Sequence, residues 1–152
     1  MPSPPVIIYR IGHWFHKKGF KFLGKLFSYL NRLIFSVWVP SSAKIGKNFT
    51  LGYWGLGVVI HSNTEIGDNC LITQNVTIGR NFGDTKVPVI GNDVYVGTGS
   101  VIFGEITIGN NVIIGSNSLI NKSIPANCTV VGNPMKIIVS NRMQKYYELD
   151  KK

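Results

Sequence analysis

The chain of 152 residues holds three imidazoles, at His13, His16 and His61. With an ordinary pKa near 6.5, an imidazole is the natural general base at neutral pH. His61 directly follows the aliphatic Ile60, so a core position at Ile60 turns His61 outward. It is then either a base lining a groove or a surface histidine in a turn. Glu65 and Asp68 are close to it in sequence, but no spacing sets either against the ring. Tyr53 and Trp54 offer flat aromatic faces that suit a sugar ring or pack beneath a neighbouring element. Gln74, Asn75 and Thr77 are acceptor contacts or simply turn residues. The two cysteines, Cys70 and Cys128, make no disulfide framework. No grouping of His, Cys, Asp or Glu has metal-ligand spacing, and no metal is expected.

What positions these residues is a repeat. Ile60, Ile66, Ile72 and Ile78, then Ile90, Val96, Ile102, Ile108, Ile114 and Ile120, recur every six residues. A glycine follows at Gly67, Gly79, Gly91, Gly97, Gly109 and Gly115, and a second small or β-branched residue lies four after the aliphatic, as at Thr64, Cys70, Val76, Val94, Ser100, Ile106, Val112 and Ser118. Helices need apolar residues every three or four positions and simple strands every second one. Six fits a short strand plus a turn, coiling so that each strand lies beside its copy, which is the signature of a parallel β-helix of about four to five coils. A single hexad cannot bury its own face, so stability requires stacking.

The beat falters twice. Three residues are inserted around Tyr53–Gly57, and they must bulge from one corner. Between Ile78 and Ile90 one hexad is replaced by NFGDTKVPV, an exposed loop by composition. Loops on a rigid scaffold carry function disproportionately, which directs attention to these two corners. The regular repeats fade near Ile124–Pro125. Ahead of the repeat, residues 6–18 read as a short helix ended at Gly19. A second, amphipathic helix runs from Phe20 with Leu23, Leu26, Phe27, Leu30, Leu33, Ile34 and Val37 on one stripe, and Pro40 stops it. That stripe is expected to cover the open end of the β-helix, whose strand edges are unpaired. The expected organisation is a helical cap at 1–40, a β-helix at 41–135, and a tail with a strand-like run and a short basic helix at 136–152.

The net charge is +9, and it is uneven. No acid precedes Glu65, whereas that stretch holds Arg10, Lys17, Lys18, Lys21, Lys25, Arg32, Lys44 and Lys47. Mixed with Trp14, Phe15, Phe20, Phe22, Phe27 and Tyr29, such a block fits an anionic membrane surface or a solvated helix face. Nucleic acid is not expected, because no recognition motif accompanies the charge. No apolar window spans a bilayer. Cysteine usage and the lack of a signal-peptide pattern point to a cytoplasmic protein, with the inner face of the membrane as a further station.

The hexads, QNVTIG at 74–79, VIGNDVYVGTGSVI at 89–102 and VVGNPMKII at 130–138 together resemble the hexapeptide-repeat acyltransferases. Within these the closest branch is the serine acetyltransferase-like group, which includes O-acetyltransferases of capsular and exopolysaccharide synthesis. The resemblance covers 41–138. It implies a mainly β fold, a left-handed parallel β-helix of hexapeptide repeats with N-terminal amphipathic helices and a short C-terminal helix. It also implies a homotrimer with acetyl-CoA in the groove between subunits, and direct transfer in which a histidine deprotonates the acceptor hydroxyl. Gly79, Gly97, Thr98, Gly99, Ser116 and Asn117 fall where the family runs pantetheine close to backbone. Gly132, Asn133, Pro134 and Lys136 match its terminal loop beside the CoA nucleotide, with Lys122 and Arg142 as weaker candidates.

The same resemblance exposes departures. The family's catalytic histidine falls on Tyr53 or Trp54, and the aspartate that orients it on Trp38. A further histidine used for serine falls on Val87. His61 is the remaining candidate for the base, with Tyr53, Trp54, Gln74 and Asn75 around the acceptor. The expected activity is acetyl transfer to a saccharide hydroxyl in cell-surface polysaccharide synthesis. The alternatives are serine O-acetylation in cysteine synthesis, and a non-catalytic β-helix that binds a sugar, a metabolite or a partner.

Overall fold

The computed structural model describes residues 2–149. Every hexad becomes a strand of two or three residues, and the strands stack on three faces of a left-handed parallel β-helix. Lys44–Ile45, Glu65–Ile66, Val89–Ile90 and Thr107–Ile108 form the first face. Thr50–Leu51, Leu71–Ile72, Tyr95–Val96, Ile113–Ile114 and Thr129–Val131 form the second, which Lys136–Val139 extends in the antiparallel sense. Val59–Ile60, Thr77–Gly79, Val101–Phe103 and Leu119–Ile120 form the third.

Because the register is parallel, like residues meet. On the third face Ile60, Ile78, Ile102 and Ile120 stack in one column. All four are fully buried, and the second inward positions from Thr64 to Ser118 are buried as well. The repeat also runs further than the sequence suggests: Thr129–Val131 pairs with Ile113–Ile114, so Cys128 and Val130 are core residues of a last coil. The corner between the first and second faces is tight because its glycines lie on one another. A Cβ on Gly46 would come 2.6 Å from the carbonyl carbon of Gly67, and one on Gly67 2.7 Å from that of Gly91. Beside them Asn48, Asn69, Asp93, Asn111 and Asn127 adopt the left-handed conformation that short polar side chains tolerate. Their side chains form a ladder: Asn48 donates to Asn69 at 2.9 Å, Asn69 to Asp93 at 3.2 Å, and Asn111 to Asn127 at 2.9 Å.

Helices α1 (Pro4–Lys17) and α2 (Lys21–Phe35) form the expected hairpin, turning at Gly19 with φ 91°. Their roles are the reverse of the expected ones. It is α1 that covers the open end, burying Val6 and Tyr9 in the core. The Tyr9 hydroxyl donates to Ala43 O at 2.7 Å, and the Arg10 guanidinium donates to Ile45 O at 2.6 Å and to Gly46 O. Helix α2 buries Gly24, Ser28 and Asn31 and leaves its apolar stripe outside. The cause is a close helix crossing. A Cβ on Gly12 would lie 2.8 Å from Phe27 Cβ, and Ser41 Oγ donates to Gly24 O at 2.5 Å while bonding Ser28 Oγ at 2.9 Å. Only a small-residue stripe fits that contact, so the large residues must face away. At the other end, α3 (Tyr146–Leu149) is a single turn that carries Glu148 and no basic residue, not a basic helix.

Candidate functional site

The candidate residues divide between two corners that flank the third face. Tyr53, Trp54, Gln74, Asn75, Gly97, Thr98, Gly99, Ser116 and Asn117 all lie where the second face turns into the third. Gly132 and Pro134 lie beyond the last parallel strand of the second face, in its turn to the antiparallel one, with Gly132 O accepting the Leu119 N–H at 3.1 Å. Successive coils bond here: Gly99 N–H donates to Gln74 O at 3.1 Å, Asn117 N–H to Thr98 O at 2.8 Å, and Thr98 Oγ1 to Thr73 Oγ1 at 3.3 Å. His61 and Gly79 stand at the far edge of the same face, where it turns into the first. Strands of two or three residues, roughly 10 Å, separate the two groups within one chain. Lys136 is exposed at the start of the antiparallel strand, paired opposite Val131.

The inserted corner is strained. Tyr53 and Trp54 hold φ of 49° and 56°, followed by Gly55 and Gly57 at 78° and 69°. Consecutive bulky residues in this region are held there by their surroundings, and such strain clusters at functional sites. Tyr53 is 80% exposed. Trp54 meets the ring of Phe35 edge-on at 5.8 Å, which anchors it beneath α2. One step below, the buried Gln74 Oε1 has no hydrogen-bond partner among the described residues. A buried acceptor without a donor costs about 1–3 kcal/mol, and a donor from a ligand or a second copy would satisfy it.

At the other corner, His61 opens into a cleft of about 490 Å³ roofed by the helical hairpin. Its walls are Trp38, Val59, Ile78 and Thr77, with Ser28, Ser41 and Ser42 behind, and Lys21, Lys25 and His16 at the helical side. These helical and pre-strand members escape sequence reasoning because they come from three segments that meet through the Gly12–Gly24 crossing and the backbone bridge from Trp38 to Val59. His16 is a second imidazole in the same space. Trp38 is fixed by Tyr29 at 5.4 Å and by the Arg32 guanidinium at 5.7 Å over its ring. Val87 is buried inside its loop and contributes nothing here.

His61 Nδ1 accepts the Asn63 N–H at 3.2 Å. In the neutral ring Nε2 therefore carries the proton, and the lone pair lies on the occupied nitrogen. Among the described residues no carboxylate orients the ring: Glu65 pairs with Lys44 at 2.6 Å, and Asp68 accepts the Lys47 N–H at 2.6 Å. Among the described residues no acidic side chain lines the cleft and no metal-binding cluster exists.

The glycines sort themselves. Gly99 and Gly132 have φ of 71° and 91°, and a Cβ on Gly97 would lie 2.8 Å from the carbonyl carbon of Gly115, so the fold itself demands all three. Gly79 differs: it has ordinary φ, and a Cβ there would meet nothing within 4 Å. The fold does not require its missing side chain, and the space it leaves belongs to the His61 cleft.

Residues 88–122 match the family described as bacterial transferase hexapeptide (six repeats). A serine acetyltransferase of Helicobacter pylori strain 26695 is 37% identical over 139 residues, covering 90% of this chain and 81% of the relative. One from Synechococcus elongatus is 36% identical over 135 residues, 88% of this chain and 55% of the relative. The crystal structure of serine acetyltransferase from Brucella abortus in complex with coenzyme A superposes with a TM-score of 0.84 at 29% identity, over 89% of this chain and 54% of that one. The chain thus spans a little over half the length of the latter two proteins.

Proposed function

The chain belongs to the hexapeptide-repeat acyltransferases, in their serine acetyltransferase-like branch, and on that premise we propose that it is an acetyl-CoA-dependent O-acetyltransferase. The observation that carries this reading is the His61 cleft with Gly79 at its edge, an imidazole beside space that the fold leaves unfilled. The acceptor oxygen attacks the thioester carbonyl, a C–O bond forms as the C–S bond breaks, and the hydroxyl proton passes through the imidazole to the departing CoA sulfur. For Nε2 of His61 to take that proton, the ring releases the Asn63 N–H and turns over its tautomer; His16 is the second base within the cleft. Backbone along the Gly97–Gly99 and Ser116–Asn117 turns, with Gly132, Pro134 and Lys136, would hold the CoA arm.

A trimer is the expected assembly. The outward residues of the third face, Val59, Val101 and Leu119, form an apolar column interrupted only by Thr77. The first face turns out Lys44 and Glu65 instead, and the second is partly covered by Tyr146 against Tyr95. Closing the third face against a neighbour would bring one copy's Tyr53–Gln74 corner toward another's His61 corner and supply a donor for Gln74. Acetyl-CoA supply places the reaction in the cytoplasm.

For the acceptor, the relatives' names make L-serine the first molecule to test. A specific observation favours a second reading, a saccharide hydroxyl. Among the described residues the cleft offers Trp38, four serines and two lysines but no carboxylate to hold an ammonium group, and a buried charge needs a partner. CoA release measured over serine, nucleotide sugars and oligosaccharides decides between them. Turnover with serine alone removes the saccharide reading, and turnover with sugars alone removes the serine one. His61→Ala should cost about 10²–10⁴-fold in rate if it is the base. An unchanged rate with His16→Ala inactive transfers the role to His16, and CoA binding without turnover of any acceptor favours a binding module.

A further inference from the structure

The apolar stripe of α2 has no partner among the described residues. Phe22 and Leu33 are 79% and 83% exposed, and Leu26, Leu30 and Ile34 are exposed beside them. Helix α1 adds Ile7, Ile11 and Trp14 at helical spacing, also exposed. Phe15 stacks on Phe27 at 5.6 Å, 12° from parallel, so the two stripes join across the hairpin seam into one outer face. A contiguous apolar face on this scale marks an interaction surface.

Charge selects the occupant. Residues 2–64 contain eight lysines and arginines and no acid. Lys21, Lys25 and Arg32 follow one edge of α2, and Lys17 and Lys18 stand at the turn between the helices. A second copy meeting this face would bring two uncompensated basic rims together. An anionic bilayer offers the complement, with acyl chains for the stripe, phosphates for the rim, and an interface where Trp14, Phe20 and Phe22 are favourably placed. We propose that the outer face of the α1–α2 hairpin docks the protein onto an anionic membrane surface. Lys21 and Lys25 belong both to the rim and to the cleft, so docking sets the mouth of the His61 cleft at headgroup depth, where a lipid-borne acceptor would be presented. No helix is long and apolar enough to cross a membrane among the described residues, and the attachment is peripheral.

The test is flotation of the full chain with vesicles of phosphatidylcholine alone and of phosphatidylcholine mixed with phosphatidylglycerol. It reads binding without acetyl transfer, so it stands apart from the proposed activity. Binding is expected to the anionic vesicles only and to weaken as salt rises. Lys17→Gln with Lys18→Gln should weaken partition about 25-fold, since each basic residue near an anionic surface contributes about fivefold. Phe22→Ser with Leu33→Ser, which the fold tolerates because both side chains are in solvent, should abolish it. The proposal is overturned by no binding to anionic vesicles, by equal binding to neutral ones, or by full binding of the F22S/L33S variant. It is equally overturned if that variant instead breaks a larger assembly of the wild type in sedimentation, which would make the face a contact between copies.

Discussion

At the scale of single residues, the informative positions are those whose identity the fold does not explain. Most glycines here are structural, held by positive φ or by backbone packed where a Cβ would stand. Gly79 has neither reason, and it borders the same cleft as His61. Gly79→Ala should therefore fold normally and gain about 0.4–1 kcal/mol, because alanine narrows the unfolded ensemble without straining the folded one. Its added methyl nonetheless enters the ligand space, so KM for acetyl-CoA or acceptor should rise several-fold. Thermal melting beside steady-state kinetics checks both halves. A variant that melts higher and turns over like the wild type would show that the space at Gly79 is empty of substrate. The contrast is Gly97→Ala, where the new Cβ meets backbone and stability should fall.

At the scale of elements, the hexads were legible because a parallel register forces like residues into columns, and a column must be uniformly aliphatic. Six-residue periodicity thus revealed strands, faces and core down to Ile120. It lost the last coil because only four positions separate Ile120 from Ile124, so Ile124, Cys128 and Val130 complete the core two residues out of step. The helical hairpin was legible as two helices but not as a packing. Amphipathicity points the large residues of α2 inward, whereas the Gly12–Gly24 crossing admits only the Gly24, Ser28 and Asn31 stripe. The cleft was illegible for a related reason, since His16 and Lys25 meet His61 through that crossing and Trp38 through a backbone bridge to Val59 that no spacing announces. The C-terminal segment likewise depends on a partner remote in sequence. Lys145 Nζ meets Asp93 Oδ2 at 2.7 Å, Tyr147 donates to Asp93 Oδ1 at 3.1 Å, and Tyr146 donates to Asn69 O at 3.0 Å. Burial raises the Asp93 carboxyl, but the hydrogen bonds from Lys145, Tyr147 and Asn69 outweigh it and hold the group below the usual carboxylate value. A depressed folded pKa gives stability that is present above the unfolded value, near 4, and is lost as pH falls through the folded one. Amide exchange at residues 143–149 should accordingly stay protected at neutral pH and speed up below about pH 4. Asp93→Asn should show the fast exchange already at pH 7; protection unchanged in that variant would mean that the tyrosines alone hold the segment.

At the scale of the whole molecule, a solenoid is a stack of weakly autonomous coils, and whether it unfolds as one body depends on what crosses the coil boundaries. Three features cross them here. The aliphatic columns run without interruption through every coil. Helix α1 closes the first coil through Tyr9 and Arg10. The C-terminal segment straps the asparagine corner, with Arg142 N–H donating to Asn127 O at 2.7 Å, its guanidinium to Asn111 O at 2.5 Å, and Lys145 and Tyr146 reaching Asp93 and Asn69. That strap touches four successive coils, so melting the last should loosen those before it. The two thiols report on this from either end of the span. Cys70 lies in the second coil, where burial pushes its thiol up to about 11, and Cys128 is buried in the last. A thiol buried in the core is out of reach of an alkylating reagent, so neither should label at neutral pH until its coil opens. With the coils coupled, both should become reactive at one denaturant concentration. Ile102→Ala, placed between them on the third face, should cost about 2–5 kcal/mol and move both midpoints down together. Labelling of Cys128 at clearly lower denaturant than Cys70 would show instead that the last coil melts on its own and that the strap does not carry stability across the stack.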